Sequence, residues 1–515
     1  MIKTAKFYVG IMIKNPIFLL SILFNLFLIT IQLDVLESSL FEFSKVFCFG
    51  IICSNLFTLI VSTYIMHKDY EILHFLENNI LKKQLSIIIT SLFISTVTAL
   101  LPILSIIIFK NIHFESIFVF KAILHFFTIW TLSNLTATTI GSSIGIVCRN
   151  GFSILLSFAI YSLFLLEFYT PSNNPLYKLF NIFDDYTLVS SNDISGQIFN
   201  KSYYLDKLFV LFISLFILSI IAIIYTNKKC KSILLSLCIV FCLLATSYLS
   251  FNSRTVNLYG YKLMNVNNYY IQSYDMKLRL YNSLKNTCTI KLFVQNDVEN
   301  ISLSLDDSLK VAQVSIGNDP VEFTHKDNQL QINYPCTKES NLIISINYEG
   351  NINVENYLGI PTFYVSNHAI NLPCSTFYWY PGLNNTSLIN FNIQVETSSK
   401  LYSNLPIESN ADGYILQGQS SGLNLFSGQY QTIENNDIEY IIPMGYNLDF
   451  FKLSLESLVS ELSSKNNTVS ERDLDLLKSM KFKKIIVAVW SYDIQNPNTH
   501  SSFQIFDETL LINYR

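Results

Sequence analysis

The sequence predicts an α-helical polytopic membrane domain of about seven spans, followed by a mainly β extracytoplasmic domain. Three observations carry this expectation. Half of the 515 residues are apolar and only 14% are charged, against roughly 25% in an ordinary soluble domain. The apolar residues are concentrated before about Ser250, in runs long enough for a bilayer core, which takes about 20 residues of helix. After Phe251 the chain becomes polar, rich in Asn, Ser and Tyr, and alternates in short stretches, the pattern of strands. A net charge of −4 without a basic stripe gives no sign of a nucleic-acid partner. The preference for Ile, Asn, Lys, Phe and Tyr suggests an AT-rich, bacterial genome.

The spans are expected near residues 17–34, 44–66, 85–109, 117–147, 152–169, 208–227 and 232–250. Lys3, Lys6 and Lys14 precede the first. Lys68, Lys82 and Lys83 separate the second from the third, Arg149 the fourth from the fifth, and Lys228, Lys229 and Lys231 the sixth from the seventh. The alternate connections carry Asp34, Glu37, Glu42, Glu115, Asp184, Asp185 and Asp193. The positive-inside rule therefore puts the N-terminus in the cytoplasm, and an odd number of spans puts everything after about residue 250 outside the plasma membrane. The first span lacks a small-residue cleavage site and reads as retained. The preceding "TAKFYVGIMIKNP" has the spacing of an interfacial helix.

Within the spans, His125 reads as a packed or hydrogen-bonded histidine rather than a proton relay, which disfavours an ion-coupled transporter. "SNLTATTIGSSIGIV" places Gly141 and Gly145 four residues apart, a small face for close helix packing within the chain or across a dimer. The cytoplasmic "MHKDYEILHFLENNILKKQ" (66–84) is amphipathic and reads either as a polar connection or as a helix docking a partner. Of nine cysteines, Cys288, Cys336 and Cys374 fall outside the spans, and no CxxC or Cys/His cluster marks a metal site.

This organisation, with "KDYE" on a cytosolic helix after the second span, resembles the permease subunit of ABC-2 type transporters over roughly residues 1–227. The resemblance implies that residues 66–84 form an ATPase-coupling helix, with Asp69, Tyr70, Glu71, Leu73, Leu76 and Glu77 as candidate contacts. It also implies a second permease copy or homologue. The chain has no GxxxxGK[ST], so ATP hydrolysis is expected from a separate nucleotide-binding subunit.

From about Tyr269, "DMKLRLYN", "CTIKLFVQN", "ISLSLDD", "LKVAQVSIG", "NQLQINYP" and "NLIISINYEG" read as antiparallel strands of a sandwich or saddle. The ordered stretches "NLIISINYEG", "FYWYPGL", "KLYSNLPIES", "GLNLFSGQYQTI" and "KKIIVAVWSYDI" resemble the N-terminal saddle of M1-family aminopeptidases and the start of their catalytic domain. This divides the chain into a permease-like domain at 1–250, a saddle-like domain at 251–447 and a truncated catalytic-like α/β subdomain at 448–515. "LLINYR" resembles the strand after the family's GxMEN exopeptidase loop, which sets Asp507 at the Glu that holds a substrate's amino group, Phe506 at the Met and Gln504 at the Gly. The family's HExxH, with its two zinc-binding histidines and general base, is missing from the 515 residues. "TLLINYR" reads as an open strand edge, a liability that natural domains usually cover.

The function expected from these readings is a permease subunit of an ABC-type transporter moving a peptide or other amphipathic substrate, in export or antimicrobial-peptide immunity. Its exterior peptidase-like domain would be catalytically dead. No cofactor, metal or catalytic residue is expected, and the chain is not expected to be an enzyme. The alternatives are part of a split membrane-bound M1-type aminopeptidase, or a membrane-anchored receptor that transports nothing.

Overall fold

A computed structural model describes residues 2–34, 40–68, 80–109, 115–148, 151–165, 179–180, 182–183, 192–196, 199, 201–225, 229–253, 267–317, 319–355, 361–374, 377–383, 388–464, 471–489 and 502–513. The candidate coupling residues Asp69, Tyr70, Glu71, Leu73, Leu76 and Glu77 lie outside the described residues. The chain divides into two compact units: Met1–Val189 with Gln197–Arg254, and Ser190–Gly196 with Thr255–Arg515.

The first unit is helical. Helices α1 (Ile2–Ile13) and α2 (Pro16–Asp34) meet at a 68° bend. The sequence explains the break. Proline fits the first position of a new helix, and the Asn15 side chain accepts the Ile17 amide at 2.9 Å as a cap. There follow α3 (Leu40–Lys68), α4 (Ile80–Phe109), α5 (Ser116–Val147) and α6 (Phe152–Ser162). Five described helices are long and apolar enough to cross a membrane, or six if the bent pair is one span, while Phe152–Leu165 is a shorter apolar helix. This departs from the expected seven. The expected first span is the second arm of the bent pair, and residues 166–169 of the expected fifth lie outside the described residues.

Packing in this unit follows its small and polar residues. A Cβ on Gly141 would lie 2.5 Å from the Leu59 carbonyl oxygen, and one on Gly145 2.5 Å from that of Thr63, so α5 and α3 touch backbone to backbone. Beside that contact Ser91 donates to Asn134 Oδ1 at 2.6 Å, Asn134 Nδ2 to Thr58 Oγ1 at 3.1 Å, and Gln84 Nε2 to Ser143 Oγ at 2.9 Å. Such bonds hold helices together where apolar burial cannot. His125 is buried, with Nδ1 3.0 Å from the Tyr203 hydroxyl.

A four-residue helix, α7 (Asn192–Ser195), precedes α8 (Lys201–Tyr225) and α9 (Lys229–Ser253). The last two form an antiparallel hairpin, in which Ser219 reaches Ser236 at 3.2 Å and Ser250 reaches Asp206 at 2.6 Å. The start of α8 and the end of α9 therefore share one end of the hairpin. Helix α7 belongs to the second unit. Ile194 is 1% exposed among Tyr402, Phe426 and Tyr430, and its carbonyl accepts the Gln429 amide at 2.8 Å. Gly428, at φ +151°, has no room for a Cβ against that same carbonyl.

The second unit is mainly β. Its strands are β1 (Tyr269–Leu280), β2 (Leu284–Val294), β3 (Ile301–Ser304), β4 (Lys310–Ile316), β5 (Asp319–Pro320), β6 (Phe323–Lys326) and β7 (Gln329–Ile332). They continue as β8 (Ser340–Gly350), β9 (Asn353–Glu355), β10 (Pro361–Val365), β11 (Ile370–Leu372), β12 (Ile389–Thr397), β13 (Tyr402–Ser403) and β14 (Ile407–Asn410). Next come β15 (Gly413–Ser420), β16 (Leu425–Ser427), β17 (Tyr430–Asn435) and β18 (Ile438–Pro443). An eight-stranded sheet runs β14-β15-β12-β1-β2-β8-β4-β5, a five-stranded sheet β13-β16-β11-β10-β9, and a three-stranded sheet β3-β7-β6. Alternation decides the faces: Met276, Leu278, Cys288, Ile290, Ile344 and Ile346 point into one core, while Asp275, Lys277, Arg279, Lys285 and Glu349 point outward.

After β18 the pattern changes. Helices α10 (Leu448–Ser464) and α11 (Glu471–Ser479) carry the chain over to β19 (Lys484–Ala488), which pairs parallel to β18, as a parallel connection requires. Strands β20 (Phe503–Phe506) and β21 (Thr509–Asn513) complete a mixed sheet in the order β17-β18-β19-β21-β20.

Candidate functional site

Within the second unit, the five-stranded saddle sheet meets the mixed sheet along a polar seam. On the saddle side, buried Asn371 of β11 donates to the Thr362 carbonyl at 2.5 Å and to the Val489 carbonyl, just past β19, at 2.6 Å. From the mixed sheet, Lys484 donates to the Ser403 carbonyl at 3.1 Å and pairs with Glu439 at 3.4 Å, while Thr509 donates to the Asn404 carbonyl at 3.4 Å. The Asn371–Val489, Lys484–Ser403 and Thr509–Asn404 bonds join segments more than 80 residues apart in sequence, so the seam depends on both sheets being formed.

Strand β20 is an edge of the mixed sheet, pairing only with β21 among the described residues. Its Phe506 packs against Gly422, where an added Cβ would lie 3.0 Å from the ring and 2.5 Å from Cys374 Sγ. Cys374 lies 3.3 Å from the Tyr380 hydroxyl, which accepts the Leu423 amide at 3.2 Å. The Gln504 Oε1 atom on β20 is enclosed and has no hydrogen-bond partner, an acceptor that is costly to leave unmade.

Asp507 sits at the tip of the β20–β21 hairpin, exposed, with φ +53°. Aspartate tolerates that left-handed geometry better than most side chains, so the turn forms without the glycine that the GxMEN pattern would supply. Its neighbour Glu508 pairs with Lys483 at 2.5 Å. Gly141 and Gly145, singled out for packing, lie in the helical unit against α3. Asn371, Ser403 and Asn404 carry no motif and were not foreseeable as seam residues, although "KLYSNLPIES" spans the last two. Asp306 and Asp307 are turn residues, bonded to the Ser308 and Asn328 amides at 2.9 Å.

Cys288, Cys336 and Cys374 are free thiols. Burial pushes the Cys288 thiol far up and lifts the Tyr274, Tyr348 and Tyr430 hydroxyls well above the ordinary phenol range. In the unfolded chain these groups return to about 8.5 and about 10. The folded values being the higher ones, their contribution to stability is complete below the unfolded values and is lost as pH rises through them toward the folded ones. The thermal midpoint of the β unit is expected to fall steadily above about pH 8.5. A midpoint flat up to about pH 11, followed by tyrosine absorbance, would contradict this.

No protein-family model and no curated protein matches the sequence. The ABC-2 resemblance of residues 1–227 therefore gains no support from those comparisons. Solved structures similar to the chain are M1 zinc metallopeptidases. One, a mutant from Deinococcus radiodurans bound to a Tyr-Ser-Ala substrate, is 11% identical with a TM-score of 0.33, over 48% of this chain and 61% of that one. Another from the same organism is 14% identical with a TM-score of 0.30, over 43% and 56%. A yeast LTA4 hydrolase in complex with bestatin is 11% identical with a TM-score of 0.33, over 51% and 44%. The chain thus spans under two thirds of each of these proteins. All three neighbours are enzymes by name, a finding against the expectation that the chain is not an enzyme, which is corrected on that ground.

The neighbours' names imply zinc. Among the described residues no group of three or more His, Cys, Asp or Glu side chains could hold a metal ion. The described residues do not fit that group.

Proposed function

We propose that this chain is the substrate-seating part of a membrane-carried M1-type aminopeptidase, its metal-bearing residues lying outside these 515 residues. The observation that carries the reading is the edge strand β20. Its outer backbone is unpaired among the described residues, and it lies beside the seam between the two sheets. A peptide in extended form adds to such an edge as a further strand, main chain to main chain. The Asp507 carboxylate at the hairpin tip holds the bound peptide's free amino group. The helical unit carries this assembly in the plasma membrane. This reading takes residues 152–169 as one of seven crossings, so that Lys3, Lys6, Lys14, Lys229 and Lys231 lie on the cytoplasmic side and the β unit outside.

The test is gentle detergent purification from the native membrane, with mass spectrometry and an aminoacyl-fluorophore assay on the same fractions. We expect an HExxH sequence among the peptides of these fractions and chelator-sensitive release of the N-terminal amino acid. Asp507→Asn should raise KM by about ten- to a hundredfold, the worth of a charge-assisted hydrogen bond. Fractions with no hydrolysis but a stoichiometric P-loop ATPase would sink the proposal and restore the permease reading.

A further inference from the structure

Helix α1 carries a feature that the peptidase reading does not use. One of its faces is occupied inside the helical unit. Ala5, Tyr8 and Met12, which the helical period stacks on one side, are buried there. Thr90 of α4 donates to the Ala5 carbonyl at 3.0 Å, and Lys83 Nζ of α4 stands 5.7 Å over the Tyr8 ring.

The same period turns Lys3, Lys6 and Lys14 to the opposite side, the first two about one turn apart and the outer two about three. All three are exposed. Helix α1 contains no acidic residue, and none of the three lysines pairs with a carboxylate among the described residues. Beside them Phe7, Ile11 and Ile13 are exposed as well, Phe7 by 63%. Three cations and three large apolar side chains thus share one outward surface, which neither water nor lipid tails alone would suit.

The neighbouring helix shows what covers it. Helix α2 meets α1 at a 68° bend, and its own outer side chains Leu19, Leu20, Leu23 and Phe27 are exposed and apolar. With α2 set among lipid tails, α1 is turned away from the span direction and toward the membrane plane. A helix lying there buries its apolar edge at the acyl boundary and keeps its lysines among the headgroups.

We propose that the outward face of α1 binds anionic phospholipid, with Phe7 and Ile11 at the acyl boundary and Lys3, Lys6 and Lys14 on the lipid phosphates. Charge selects this occupant. A zwitterionic lipid brings no net charge to three unpaired cations. A second copy seated on the same face would set these lysines against their own equivalents, because a two-fold interface pairs a patch with itself. Nucleic acid would leave Phe7 and Ile11 without an apolar neighbour.

The experiment places the full chain, with Phe7→Trp as reporter, in bilayer discs of phosphatidylcholine with phosphatidylglycerol as a minor component. Bromine, which quenches indole at short range, is carried on the acyl chains of one lipid at a time. The wild-type protein supplies the background of the native tryptophans. Quenching per brominated lipid should be at least about fivefold stronger for phosphatidylglycerol, the worth of one lysine near an anionic surface. That preference should shrink with salt. It should vanish when Lys3→Gln, Lys6→Gln and Lys14→Gln are combined, all exposed positions where substitution leaves packing intact. A Leu244→Trp reporter on the exposed side of α9 should be quenched alike by both lipids. Equal quenching of the α1 reporter by the two lipids, or a preference that survives the triple substitution, would overturn the proposal. So would a reporter that neither lipid quenches, which would give this face to a second copy or another protein. No readout here involves Asp507 or peptide hydrolysis, so failure of this proposal and failure of the peptidase reading are separable.

Discussion

Replacing Trp379 by alanine is expected to destabilise the β unit by about 3–5 kcal/mol, the range for emptying a large aromatic site. Trp379 is fully buried, lies edge-on to Tyr380 at 4.7 Å, and belongs to the core shared by the saddle's sheets. Its carbonyl also accepts the Tyr348 hydroxyl at 3.2 Å. The walls around it are strands of different sheets, each fixed by its own ladder, so they cannot collapse to refill the space. Trp379 Nε1 has no hydrogen-bond partner. Trp379→Phe, which keeps most of the ring and removes that orphan donor, should therefore cost far less than alanine. Thermal unfolding followed by near-ultraviolet circular dichroism separates the two. Equal losses would show that the indole N–H, and not the volume, holds the site.

Gly141→Leu is expected to be the most damaging single change in the helical unit. An added Cβ alone would stand 2.5 Å from both the Leu59 carbonyl and Ser62 Oγ. The obstacle is the backbone of α3, which has no rotamer to yield. Overpacking usually costs about 1–3 kcal/mol, and this substitution should reach or exceed the top of that range. Gly145→Ala meets the Thr63 carbonyl at the same 2.5 Å and should be damaging with a single methyl. Gly10 has nothing within 4 Å, so Gly10→Ala should be neutral, or stabilising by up to about 1 kcal/mol through helix propensity. Midpoints in detergent should rank the wild type with Gly10→Ala, then Gly145→Ala, then Gly141→Leu. A Gly141→Leu protein that melts with the wild type would remove the α3–α5 contact from the account.

Both substitutions fall in stretches that the sequence had already marked, but for reasons of different reach. "FYWYPGL" drew attention as an aromatic cluster and "GSSIG" as a small face, and local pattern was enough for that. What each faces was decided elsewhere in the chain. Alternation placed Lys277, Arg279 and Lys285 on a solvent face, yet only register set Arg279 opposite Lys285 and left Lys277 beside Gln394 of β12. The Ile194 helix was invisible, because a four-residue segment has too few residues to show a period, and its burial depends wholly on Tyr402, Phe426 and Tyr430. The described residues differ from the expected seven spans chiefly at 152–169, where hydropathy marks a full span and the described helix is the shorter Phe152–Leu165.

By itself the sequence determined that a helical, apolar half precedes a mainly β half, since hydrophobic period is a property of neighbouring residues and survives without any partner. It also singled out Asp507, through the resemblance of "LLINYR" and the residues before it to an exopeptidase loop. Only the tertiary structure decided that Asn371 ties β11 to the end of β19, that β20 is left as an edge, and that Arg279 stands opposite Lys285 on the eight-stranded sheet. Those outcomes depend on strand order, and strand order is settled by which distant surfaces bury each other best, a comparison that no local window of sequence contains.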